Sequence, residues 1–224
     1  MLVVGLTGGI ASGKTTVARM LKEMGARIID ADAVGREVMV PHTRCWQQVV
    51  KGFGEAVVRT DGAIDRKKLA AQIFKHPEKR MLLNRIVHPR IRTRIRELIR
   101  RIGREDPAAL VIVDAALLVE TGMYKDYDKL VVVAADEDVQ LARLMRRNRL
   151  SSSDARSRLR AQFPLERKIR VADYVISNQA SLRHTRSQTR ALVQELGALL
   201  PLTPAGHSRT LQGKRRKTAV IKNT

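Results

Sequence analysis

The sequence predicts an α/β protein, a buried parallel sheet flanked by helices. Three observations carry that expectation. Short apolar, β-rich runs recur along the chain, helical stretches separate them, and the first run ends in glycines that lead directly into a helix. Composition agrees: 44% of the 224 residues are hydrophobic but only 3% are aromatic, so Leu, Ile, Val and Ala must build the core.

The first run, residues 2–7, reads Leu-Val-Val-Gly-Leu-Thr, as expected for a strand buried on both faces. A helix is expected over 15–24 and a second short strand over 27–29, which delivers Asp30 and Asp32 at its carboxyl end, where open α/β sheets place ligand-binding groups. From 33 to 105 the apolar spacing is helical, most clearly at Ile91, Ile95, Leu98 and Ile102, and reads as a helical acceptor-side insertion. Strands are expected again at 110–113, 130–134 and around Val175 and Ile176. Between the last two, residues 143–170 are strongly basic, with a helix-start signal at Ser151 to Asp154, and read as a mobile lid closing over phosphates. One domain thus spans 1–200, and the basic tail 201–224, which holds no acidic residue, is expected to be disordered.

The formal charge of +21 predicts attraction to polyanions without naming one. One tryptophan, three tyrosines and three phenylalanines leave few stacking platforms for single strands, so no specific nucleic-acid partner is expected, and a nucleic-acid-binding ATPase is the lesser alternative. A single cysteine, Cys45, excludes an intrachain disulfide and fits a reducing compartment, the cytoplasm. Neither a signal peptide nor a membrane-spanning apolar run is apparent, and nothing fixes the oligomeric state.

The chemistry concentrates in Gly8-Gly9-Ile10-Ala11-Ser12-Gly13-Lys14-Thr15, a P-loop set between a strand and a helix. Its glycines let backbone N–H groups turn toward phosphate oxygens, and the helix start adds a favourable dipole. Lys14 supplies a point charge to the β and γ phosphates, Thr15 a hydroxyl for magnesium, and Thr16 belongs to the same ATP-binding set. The fold class is therefore a P-loop NTPase-type sheet, with Mg2+ arriving with ATP. The five histidines show no ligand spacing.

Leu6-Thr7-Gly8-Gly9-Ile10, Ile29-Asp30-Ala31-Asp32 and Leu117-Leu118-Val119-Glu120 together resemble the dephospho-CoA kinase family. Phe53-Gly54, Asp61-Gly62, Leu83-Asn84 with His88-Pro89, and Ala172-Asp173-Tyr174-Val175-Ile176 before Asn178 extend the resemblance over about 3–199. It implies transfer of the ATP γ-phosphate to the 3'-hydroxyl of dephospho-CoA, with ATP and dephospho-CoA as small-molecule partners; a P-loop kinase with another acceptor is the alternative. Ala116 stands where the family commonly has proline, and His42 and Ala180 stand where it commonly has glycine.

Residue roles follow. The resemblance makes Asp32 the carboxylate for the acceptor hydroxyl, and its position just past the second strand turns it toward the cradle; the competing reading is a helix N-cap. Asp30 is weighted toward capping. Asp114, at the end of the third strand, reads equally as holder of a magnesium-bound water or as a strand-end cap. Arg143 and Arg147 stand four apart on an expected helix and share a face, and the resemblance favours Arg143 as the transition-state cation. Arg158 and Arg167 are lesser lid candidates. Asn178 is expected on the ATP side, and Glu120 and His88 on the acceptor side, His88 reading also as a packed turn histidine.

Overall fold

The computed structural model describes residues 1–201. The chain runs β1 (Leu2–Gly8), α1 (Lys14–Glu23), β2 (Arg27–Asp30), α2 (Ala31–Glu37), α3 (Arg44–Phe53), α4 (Arg66–Lys75), α5 (Pro77–Glu105), β3 (Leu110–Asp114), β4 (Lys129–Ala134), α6 (Glu137–Asn148), α7 (Ser152–Arg160), α8 (Leu165–Ile169), β5 (Tyr174–Ser177) and α9 (Leu182–Ala198). It divides into two compact units, one built from Met1–Ile28 with the chain from Ile102 onward, the other from Ile29–Arg101.

The sheet order is β2-β3-β1-β4-β5. β1 is central because its residues are apolar on both sides of the pleat; Val4 and Leu6 are fully buried. It pairs in parallel with β3, Leu6 opposite Asp114, and with β4, Thr7 opposite Val132. β4 in turn pairs in parallel with β5. The loop leaving β1 therefore emerges where the order reverses, the usual ligand crevice of an open α/β sheet. Val17 and Leu21 of α1 and Leu192 and Leu196 of α9 close the core over one sheet face, against Leu2, Val131, Val133 and Ile176.

The second unit is helical. Cys45, Val49, Phe53, Val57, Ile64, Leu69 and Val87 form its core. Thr43 caps α3 by accepting from the Trp46 amide, and Asp65 caps α4 by accepting from the amides of Lys67 and Lys68. Burial pushes the Cys45 thiol above its ordinary pKa. His42 adopts the left-handed region at φ 67°.

One expectation needs correction. His88-Pro89 does not form a turn, because α5 runs through Pro89 without a break. Proline removes one amide from the ladder, but the packed stripe that includes Val87 and Ile91 holds the helix on both sides of it. The basic stretch 143–170 comprises the end of α6, then α7 and α8, with α7 beginning at the expected helix start. Ser151 caps α7, and fully buried Ala155 seats that helix against Leu141 and Leu144 of α6. Of the tail 201–224, everything past Pro201 lies outside the described residues.

Candidate active site

The phosphate loop is shaped by what packs behind it. Gly13 is the N-cap of α1, with φ 91° and ψ 20°, a conformation that favours glycine. It carries no side-chain cap, and the first turn of α1 holds no acidic residue, so the helix start is open to an anion. Behind Gly9 lies Gln140 of α6, whose Oε1 is 2.4 Å from where a Cβ on Gly9 would sit. Gln140 is buried and donates to the Ala135 carbonyl at 2.6 Å, so the loop rests on a fixed amide.

At the start of α1, Lys14 donates through Nζ to Asp114 Oδ1 at the end of β3. The two side chains are 15% and 12% exposed, so the pair is accessible to a ligand without being open to bulk water. Thr15 and the half-buried Thr16 follow on the same turn. The hydroxyl of Thr15 and the carboxylate of Asp114 are hard oxygen donors of the kind magnesium takes beside nucleotide phosphates. Among the described residues no group of three or more His, Cys, Asp or Glu is able to hold a metal ion.

Asn178 closes the other side. Its Nδ2 donates to the Ser12 carbonyl at 2.8 Å, and its Oδ1 accepts from the fully buried Thr185 at 2.9 Å. Its own carbonyl accepts from Arg143 Nη2 at 2.9 Å. The amide thus sits behind the loop, which it pins to α9. Arg143 Nη1 is buried, makes no hydrogen bond, and lies 3.9 Å from where a Cβ on Gly13 would be. A buried guanidinium nitrogen with no acceptor is costly, and here it sits beside an anion cradle. Arg147, one turn further along α6, is exposed and donates to Asn148. Arg167 lies over the Phe163 ring at 3.7 Å from its centroid, and Arg158 is exposed.

The acceptor-side candidates lie in both units. Asp30, not Asp32, caps α2: Asp30 Oδ1 accepts from the amides of Asp32 and Ala33 at 2.8 and 3.0 Å. The Asp32 carboxylate is exposed and has no hydrogen-bond partner among the described residues. His88 is half-buried on α5, and burial, helped by the Arg92 charge, holds its imidazole below the ordinary pKa. Glu120 is held internally: its Oε1 takes Lys168 Nζ at 2.8 Å and the Phe163 amide at 3.1 Å, while Oε2 is buried without a partner.

Sequence reasoning missed Gln140, Gln162 and Lys168. Gln162 Oε1 accepts the Ile10 amide at 2.8 Å, and Lys168 is fully buried. A glutamine and a lysine in an arginine-rich stretch carry no periodic signal; the one available cue was the apolar Phe163-Pro164-Leu165 between them. Gly9, Gln140, Gln162 and Phe163 line a cleft of about 370 Å³ beside the loop.

Residues 2–184 match the family model described as dephospho-CoA kinase (CoaE). The dephospho-CoA kinase of Geobacillus kaustophilus is 43% identical over 201 residues, covering 88% of this chain and 98% of its own. That of Moorella thermoacetica is 46% identical over 196 residues, covering 88% and 92%. Among solved structures, TT1252 from Thermus thermophilus superposes with a TM-score of 0.73 at 34% identity, covering 87% of this chain and 97% of its own. The dephospho-CoA kinase from Campylobacter jejuni gives 0.67 at 27%, covering 88% and 97%.

Proposed function

Since the chain belongs to the dephospho-CoA kinase family, it is an ATP-dependent kinase of the last step of coenzyme A biosynthesis, and we propose that the residues around Gly13 and Asp32 carry the transfer. The acceptor's 3'-hydroxyl oxygen bonds to the γ-phosphorus, the bond to the β,γ-bridging oxygen breaks, and ADP departs. Asp32 orients that hydroxyl and takes its proton. Its carboxylate is available because Asp30 already caps α2. The backbone of Gly8, Gly9, Ile10, Ala11, Ser12 and Gly13 wraps the phosphates.

Lys14 exchanges its contact with Asp114 for the β and γ oxygens when ATP enters. Magnesium carried by ATP would be held by the Thr15 hydroxyl and, through water, by Asp114; it supplies charge neutralisation across the β and γ phosphates. Arg143 meets the developing charge, with Arg147 as a second contact one turn away, and Asn178 acts by holding both Ser12 and Arg143 in place. His88, neutral at physiological pH, offers an N–H to the acceptor. Glu120, read from sequence as a substrate contact, serves the substrate by fixing the backbone next to it. A reducing compartment, the cytoplasm, fits a chain whose single cysteine is free and buried.

The unpartnered Nη1 of Arg143 beside the open start of α1 carries this reading. ADP release in the presence of dephospho-CoA, set against nucleoside monophosphates and other alcohols, tests it. Turnover with dephospho-CoA that vanishes in a folded Lys14→Ala variant is the expected result. Faster turnover with a different acceptor would overturn the substrate assignment.

A further inference from the structure

We propose that Lys168, with Gln162 and Glu120, is a positioning residue that sets the entry of the phosphate loop for phosphoryl transfer. Lys168 is fully buried, unusual for a lysine, and its ammonium has three acceptors for its three protons. These are Glu120 Oε1 at 2.8 Å, the Ala116 carbonyl at 3.3 Å and the Gly8 carbonyl at 3.5 Å. Two of the three are backbone atoms of functional segments. Gly8 opens the phosphate loop, and Ala116 follows two residues after Asp114, the partner of Lys14.

The surrounding contacts act in the same direction. The Ala116 carbonyl also accepts from the Thr7 hydroxyl at 3.0 Å, so β1 and Lys168 share one acceptor in the turn after β3. Glu120 takes the Phe163 amide, and Gln162, next to Phe163, takes the Ile10 amide. The segment from Gln162 to Lys168 therefore grips the loop twice, at an amide and at a carbonyl, while Asn178 holds its far end at Ser12.

A buried ion pair is weak support for stability, because an apolar pair of similar volume holds a fold as well or better. An apolar pair has no donor for the two carbonyls. The contribution of Lys168 is thus directional: it fixes where Gly8 and Ala116 lie relative to each other, and with them Lys14 and Asp114. This inference rests on the kinase reading of the site.

The discriminating variant is Lys168→Met combined with Glu120→Gln, which removes both charges and strands neither. Its expected behaviour is a melting temperature near that of the parent, kcat lowered about tenfold or more, and KM for ATP within about threefold. Lys168→Arg, which retains charge and donors, should regain most of kcat. Gln162→Leu, in a half-exposed linker, should lower kcat severalfold with the melting temperature of the parent. Acceptor-independent ATP hydrolysis in the same samples reads the loop whatever alcohol is the true acceptor. The proposal is overturned by parental kcat in the double variant, or by a loss that merely follows the folded fraction. If the double variant does not fold, parental kcat in Gln162→Leu overturns it.

Discussion

The side-chain nitrogen of Asn178 lies 1.9 Å from the point where a Cβ on Gly13 would be, so the last loop glycine and the asparagine after β5 share one space. Gly13 has a second constraint in its φ of 91°. Gly13→Ala is expected to lower kcat/KM for ATP by about a hundredfold or more, with a circular dichroism spectrum like that of the parent. Adding Asn178→Ala relieves the overlap but not the backbone strain, so it should restore only part of the loss. Full recovery in the double variant would show that backbone conformation is unimportant there.

Adjacent acidic residues should separate cleanly. Asp30→Ala removes the cap of α2 and should cost about 1 kcal/mol of stability with kcat nearly unchanged. Asp32→Asn should lower kcat by about a hundredfold while the unfolding midpoint in urea and the affinity for ATP stay put. The reverse pattern would exchange the two roles.

Arg143→Lys should be nearly as damaging as Arg143→Ala, because one guanidinium nitrogen is fixed by the Asn178 carbonyl while the other is buried without an acceptor beside the phosphate loop, as the proposed phosphate contact requires. Lysine keeps the charge but has no planar fork with which to do both. Arg149→Lys, at the exposed end of α6, should be almost silent. Steady-state kinetics at two salt concentrations decide the matter: a defect in Arg143→Lys that disappears on changing ionic strength would mark a general field effect.

Acid sensitivity follows from His88. Burial and Arg92 depress its folded-state pKa, so below about pH 6.5 the unfolded chain takes up a proton that the folded chain refuses. The stability this neutral imidazole contributes is present above that pH and is lost as pH falls through the depressed folded value. Thermal melts from pH 7.5 to 5 should show a steeper decline for the parent than for His88→Asn. Parallel declines would remove His88 as the cause.

Local chemistry made much of this legible in the sequence. β1 and the loop after it, α1, the apolar runs of β3 and β4, and the Ser151 cap all depend on neighbours within a few residues. Pro89 misled because tertiary packing of α5 outweighed a local breaker. Lys168 and Gln162 were invisible because their partners lie 160 and 152 residues away, and nothing in an arginine-rich stretch distinguishes a lysine bound for the interior. Asn178 was found through its motif, but a motif does not reveal that its amide reaches the Ser12 carbonyl, 166 residues away.

The position of β1 in the middle of the sheet has a consequence for how the protein is made. The strand leaves the ribosome well before its neighbours β3 and β4, which lie beyond residue 109, and the groups that hold the phosphate loop come later still, from Gln140 to Thr185. While the first half emerges, the cluster from Cys45 to Val87 is the one able to consolidate, and β1 waits as an unpaired apolar segment in need of shielding. Nucleotide gives the growing chain no help in this interval, because its binding loop is assembled only when the last strand and helix arrive.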